Sequence, residues 1–554
     1  MQPKGKLQLP QRNRTSDERQ QAQGVRELLL WLVDTVNDRT NAALVASSGI
    51  VDVLFDVAVS NADYFVKALT VGALDLLTDQ GYNVAGKRVE ETKQAVGAAD
   101  DLDVGFIISS LQDNGNNSET DKRDALVLCS CLATTHSDNQ DLLSRVGVLP
   151  FLVAIIQDPT SKIAAPAALA LGSLSCQNET VASQVAQQGA IDSLLTLIGS
   201  GLPAARAWAA YALGNLICSP DTRRALFTSN AVQVLNRLLT SGAGLQQQWG
   251  AYALATLASG GGVKDGMKQA ADAIPVLVAM LRGSNGQKIW SAYAFNALPT
   301  LLRSHPELMP HMCNSLVALL ESNIELQRVW AVRAIRAAAR GSTSRRPVFA
   351  KAGAIPKLAT VISDAESDIR QESLFALATI ATDVPDNCDA VVDTGVTQVL
   401  VDLIRNSGEE NERLLAVGVM GQVAAGASEA NRVKMSSPPA IDALVALLES
   451  KSTPANLQAE IAWTLGSLAC ANEATRAAIE QTGVMATLKA LSKGAKSTSP
   501  VGKLTAYALK RIKPHRWGMS RRLGTESNHI SLTADNATVV GFGLYATMGA
   551  GFGM

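Results

Sequence analysis

A turn signature that returns about every 42 residues limits this chain more than any other feature. Gly or a small residue, then Ala or Val, then an apolar residue leads into a leucine-rich stretch, with copies starting at Gly147, Gly189, Asn230, Asp272, Gly353, Gly395, Pro439 and Gly483. Successive spacings are 42, 41, 42, 81, 42, 44 and 44, the long one spanning a copy that lacks a clean start near Met312. Gly49 opens an earlier copy 98 residues before Gly147, leaving room for two repeats and an insertion, assigned to the Gly- and charge-rich stretch 81–103. A unit this short cannot bury both faces of its helices alone, so neighbours must stack into one continuous core.

Each copy reads as a leucine-rich helix such as Ile191 to Ile198, a short break, then a longer alanine-rich helix such as Ala204 to Ile217, with a third helical piece leading to the next turn. Composition agrees. At 554 residues the chain exceeds the roughly 250–300 at which a single core stops growing. Hydrophobic residues make up 47% and aromatics only 4%, so burial rests on Ala, Leu, Val and Ile, which suits close-packed helices better than sheets. The expectation is an all-α fold of about ten repeats.

The Gly-Ala-Ile-Pro turn at Gly353, the Leu-Val-Ala-Leu-Leu helix at Leu444 and the Tyr-Ala-Leu-Gly-Asn-Leu helix at Tyr211 resemble the armadillo repeat family, over about residues 40–512. That resemblance implies an α-α superhelix, a right-handed solenoid in which the last helix of each unit lines a concave groove. The expected organisation is a polar, disordered segment over 1–24, irregular repeats over 25–146, regular repeats over 147–512, and a disordered, Gly-rich tail over 513–554.

Aligning those last helices brings out one column. Trp208, Trp249, Trp290 and Trp330 fall at steps of 41, 41 and 40. Three residues after each come Tyr211, Tyr252, Tyr293 and Arg333, and Asn215 follows Tyr211 by four. These offsets share one helical face. If that face is the groove, it presents a ladder of rings to an extended peptide; the alternative is that each Trp wedges between adjacent repeats as core. Full burial of all four rules out an open ladder. Beside the column lies a basic patch of Arg333, Arg336, Arg340, Arg345 and Arg346, whose planar forks suit carboxylates or phosphates. A solvated edge is its plainer reading, with Glu307 and Glu321 near enough in sequence to neutralise part of it.

Other chemistries find little support. With 49 basic and 50 acidic residues the net charge is -1, so no nucleic-acid partner is expected. The seven cysteines are odd in number and scattered; Cys176, Cys218 and Cys470 mark equivalent places in the repeat rather than a metal site. Gly81 to Lys87 has the spacing of a phosphate-binding loop, but Arg88 replaces the Ser or Thr and the preceding stretch reads as helix. The five histidines show no paired-ligand spacing, and no hydrolase elbow or carboxylate pair stands out. No enzyme activity, metal or cofactor is expected. No stretch of about 18 apolar residues or lipidation motif signals membrane insertion, so a cytoplasmic, also nuclear, protein is the expectation.

The leading expectation is a non-enzymatic scaffold or adaptor that binds an extended peptide or a partner helix, with acidic or phosphorylated residues meeting the arginines. The specific rival is a nuclear-import adaptor resembling importin-α, whose groove helices carry a Trp followed four residues later by Asn. Here Tyr211 and Asn215 are the only aromatic/Asn pair at that spacing, and Ser467 follows Trp463. A vacuolar-type armadillo tether lacks its acylation motif, and a ubiquitin-ligase subunit lacks its extra module.

Overall fold

The computed structural model describes residues 23–29, 50–59, 64–79, 84, 86–96, 104–112, 117–259, 266–298, 305–340, 342–364 and 367–513. The two segments expected to be disordered therefore lie almost wholly outside the described residues. Of the stretch read as an insertion, only 84 and 86–96 are described, and 86–96 is helical.

The unit centred on Gly189 shows how the sequence folds locally. Asn178 caps the helix Glu179–Gln187 by accepting the N–H of Val181. Gly189 then turns the chain with φ +78°, the left-handed region that other residues enter only with strain. The helix Ala190–Ser200 follows, and Pro203 opens the helix Pro203–Leu216 at a position where a missing N–H costs nothing. Gly147, Gly353, Gly395 and Gly483 repeat the turn with φ between +77° and +88°. A Cβ at any of these five would meet nothing within 4 Å, so backbone conformation alone demands glycine. Five of the eight starts read from the sequence are thus one conformational device.

Contacts divide the chain into two compact units: the residues up to Ser315 with Ser322–Ala334, and Leu316–Glu321 with the residues from Ile335. In the first, we label the helices that carry the argument α1 (Tyr64–Asp79), α2 (Gly86–Val96), α3 (Glu119–Thr135), α4 (Ala164–Ser175), α5 (Pro203–Leu216), α6 (Leu245–Ser259) and α7 (Asn285–Ala297). Helix α1 packs on α3, and α3 through α7 then pack each on the next. Every residue of α4 is buried, which its run of Ala, Gly and Ser permits at close helix spacing. Helix α8 (Glu325–Arg340) follows. In the second unit, α9 (Ser367–Ala381), α10 (Glu410–Gly426), α11 (Ala455–Leu468) and α12 (Pro500–Ile512) stack in the same consecutive way. Shorter helices fill the intervals, and no strand occurs among the described residues.

One recurring contact sets this stacking. A Cβ on Gly172 would lie 2.6 Å from the Tyr211 ring, one on Gly214 2.5 Å from Tyr252, and one on Gly466 2.7 Å from Tyr507. In these three units the tyrosine ring sits where a side chain on the preceding helix would stand.

Candidate functional site

The column predicted from the sequence is a physical file of rings. Trp208 and Trp249 lie 5.6 Å apart between centroids, and Trp249 and Trp290 5.2 Å. The tyrosines interleave, each meeting the tryptophan of the following unit edge-on: Tyr211 with Trp249 at 4.8 Å, Tyr252 with Trp290 at 5.2 Å, Tyr293 with Trp330 at 4.6 Å. Edge-to-face pairs of this kind add to the stability of burial itself. Arg333 then sits over the Trp330 ring at 4.9 Å.

The file is not open. Trp208, Trp249, Trp290 and Trp330 are 0%, 0%, 1% and 5% exposed. The expectation of an accessible four-ring ladder is therefore corrected, because the rings are spent on one another across unit boundaries. Tyr211, Tyr252 and Asn215 are buried as well, leaving only Tyr293 and Arg333 partly exposed. Asn215 donates to the carbonyl of Gly172 at 3.1 Å and accepts the hydroxyl of Tyr252, so its amide serves the stack. Burial pushes the phenols of Tyr211 and Tyr252 well above their ordinary pKa and that of Tyr293 up to about 12.

A segment that the sequence placed at the edge of an insertion reaches this file. The indole N–H of Trp290 donates to the backbone carbonyl of Asp79 at 2.9 Å, across 211 residues. Asp79 is the last residue of α1. Asp75 and Leu76, one turn earlier, line a small cavity together with Ser130, Ser173 and Tyr211. Asp75 receives the Lys93 ammonium from α2 at 2.6 Å, and Asp75, Asp79 and Lys93 are all buried. Burial, and after it the neighbouring Asp75, drives the Asp79 carboxyl far toward its neutral form. Burial works against the Lys93 ammonium, but Asp75 and Glu90 outweigh it and hold its pKa above the ordinary value. By contrast, the N–H of Trp249 has no acceptor among the described residues. The sequence signal for this cluster is an apolar helix that carries two carboxylates four residues apart, Asp75 and Asp79, at its end.

The basic patch is corrected too. Arg345 and Arg346 are buried, and their guanidinium groups donate to the carbonyls of Ala338 and Ala339 at the end of α8. Arg346 also reaches the carbonyl of Thr382 and the carboxylate of Asp383. Arg336 pairs with Glu372 at 2.8 Å and lies over the Phe375 ring. Glu321 and Glu307, the expected neutralisers, pair instead with Lys357 and His305. Arg340 is exposed. These arginines mainly close helix ends and join successive helices.

Among the described residues no group of three or more His, Cys, Asp or Glu side chains could hold a metal ion, and no single helix is long and apolar enough to cross a membrane. The seven cysteines are all free thiols.

Fold and geometry together define an all-helical, repeat-like protein with a buried aromatic file. No family model matches the chain, and no curated protein matches it. Among solved structures it is similar to an engineered protein studied by a structural-genomics consortium, with a TM-score of 0.62 and 23% identity over 74% of this chain and 99% of that one. At that identity the likeness shows the fold alone.

Proposed function

We propose that the chain is an armadillo-type scaffold, a superhelical stack whose work is to hold a segment of another polypeptide. One observation carries this reading. The N–H of Trp290 is given to a main-chain carbonyl from a segment far away in sequence, which is how a groove holds a peptide backbone. The regular period and the glycine-started units support the armadillo assignment.

Display of a random peptide library against the full chain tests it, with Trp249→Ala/Trp290→Ala as the comparison and melting temperature recorded for both. Peptides retained by the wild type and lost by a variant that is still folded support the scaffold. Equal retention by both removes the file from the binding site. The import-adaptor alternative requires enrichment of basic localisation peptides. Its one aromatic/Asn pair, Tyr211 and Asn215, is committed to internal packing.

A further inference from the structure

We propose that the last two helices of the second unit, Val484–Gly494 and α12, form a docking face for an anionic lipid membrane, which they meet through unpaired lysines. The proposal is independent of the scaffold reading above, since it uses a different surface and different residues.

Between Gln481 and Lys513 the chain carries seven basic residues and no acidic one, although the two signs balance over the whole chain. Lys489, Lys493, Lys496, Lys503, Lys510 and Lys513 are all exposed. Lys489 and Lys493 stand one turn apart on their helix, and Lys503 and Lys510 two turns apart on α12, so each helix turns like charges outward on one face. The two helices pack on one another. Lys513 pairs with Glu480 at 3.0 Å, but the other five have no carboxylate partner among the described residues. Surface lysines elsewhere in the unit do: Lys357 pairs with Glu321 at 2.8 Å and Lys434 with Asp393 at 3.1 Å.

Register shows what this face replaces. Tyr507 rests on Gly466 as Tyr211 rests on Gly172, which aligns Lys503, Ala506 and Lys510 with Ala207, Ala210 and Gly214 of α5. Those three are buried, Gly214 against Tyr252 of α6. Positions that receive a further helix in α5 have thus become exposed lysines in α12, and no helix follows it among the described residues. A terminal unit needs a polar outer face to stay soluble, but both signs serve that purpose. A single sign raises a field that draws in an extended anionic partner.

The chemistry favours lipid over nucleic acid. Six of the seven cations are lysines, hydrated point charges on flexible stems, which suit a fluid array of headgroups better than fixed bidentate contacts. Tyr507, the one aromatic residue of the segment, has Arg511 over its ring at 5.4 Å and is not offered for stacking on a base. In sequence, Arg516, Arg521 and Arg522 come next, and the run from Val539 to Met554 carries no charge and includes Phe542, Leu544, Tyr545 and Phe552. Basic residues joined to an apolar run are two signals that together hold a chain at an anionic bilayer.

Flotation of the full-length protein with lipid vesicles tests this. Vesicles of phosphatidylcholine with about 30% phosphatidylserine should carry the wild type upward in roughly 0.1 M salt, and vesicles of phosphatidylcholine alone should not. The variant Lys489→Gln/Lys493→Gln/Lys503→Gln/Lys510→Gln changes only exposed positions, so it should melt close to wild type. It should bind the anionic vesicles several hundredfold more weakly, about fivefold for each lysine. Lys357→Gln/Lys434→Gln, which removes paired lysines, should bind within about twofold of wild type. Equal binding of both kinds of vesicle by the wild type, or equal binding of anionic vesicles by the wild type and the fourfold variant, overturns the proposal. So does retention of a labelled DNA duplex without vesicle binding, which assigns the face to nucleic acid, or of poly-glutamate alone, which assigns it to an acidic protein.

Discussion

Tyr252 rests on Gly214 so closely that a Cβ there would stand 2.5 and 2.8 Å from two ring carbons, with the Ala253 backbone 3.3 Å away. Neither side can yield, since the Tyr252 hydroxyl is tied to Asn215. Gly214→Ala is expected to lower stability by about 1–3 kcal/mol, the cost of overpacking a filled core, despite the gain in helix propensity. Gly418 in α10 has open space where its Cβ would be, so Gly418→Ala should raise stability by about 0.5–1 kcal/mol. Urea unfolding of the two variants reads both signs.

Trp249 and Trp290 are equally buried but differ in one bond. Replacing either by Phe removes similar volume, yet only Trp290→Phe deprives a buried carbonyl of its donor, whereas Trp249→Phe removes a donor that had no acceptor. Trp290→Phe should therefore be less stable than Trp249→Phe by roughly 1–2 kcal/mol. Equal denaturation midpoints at equal slopes would contradict the hydrogen bond to Asp79.

Arg346 and Arg340 both belong to the sequence-predicted patch and should behave in opposite ways. Arg346→Ala uncovers the carbonyls of Ala339 and Thr382, at an expected cost of about 2–4 kcal/mol. Arg340→Ala, at an exposed position, should stay within about 0.5 kcal/mol of wild type. Comparable losses for both would restore the idea of one shared patch.

Glu460 stands three residues before Trp463, the place a tryptophan holds before Tyr211. Its Oε2 is sealed from solvent without a donor, and burial raises its pKa from 4.5 to about 7. The folded state then holds the proton more tightly than the unfolded chain. The contribution of Glu460 to stability is greatest below about pH 4.5, declines as pH rises toward 7, and is level above, a loss of up to about 3 kcal/mol. Glu460→Gln should remove this contribution, so that the variant loses less stability than wild type between pH 5 and pH 8 and exceeds it at pH 8, as urea titrations at the two pH values will show.

The repeat was legible because its turn needs a left-handed residue, and glycine advertises that need at Gly147, Gly189, Gly353, Gly395 and Gly483. The ring column was legible for the same reason of register. Its burial was not, since the offset between Trp208 and Tyr211 says which residues share a face and nothing of what lies on that face. Arg345 and Arg346 misled in a related way. A run of basic residues just past a helix reads as a patch until the unpaired carbonyls of that helix are seen to claim it. The α1 end was the least legible part, because its partner at Trp290 lies five stacked helices further along the chain.

That distance also has a meaning in time. Helices α3 to α7 meet mainly their immediate neighbours, so each can settle as soon as the next is made. The bond from Trp290 to Asp79 cannot, for its two ends are 211 residues apart. At ordinary rates of synthesis, about 5–20 residues per second, α1 waits roughly 10–40 s for Trp290 to appear. Throughout that interval the Asp79 carbonyl lacks its final donor, so the end of α1 is made early and completed late.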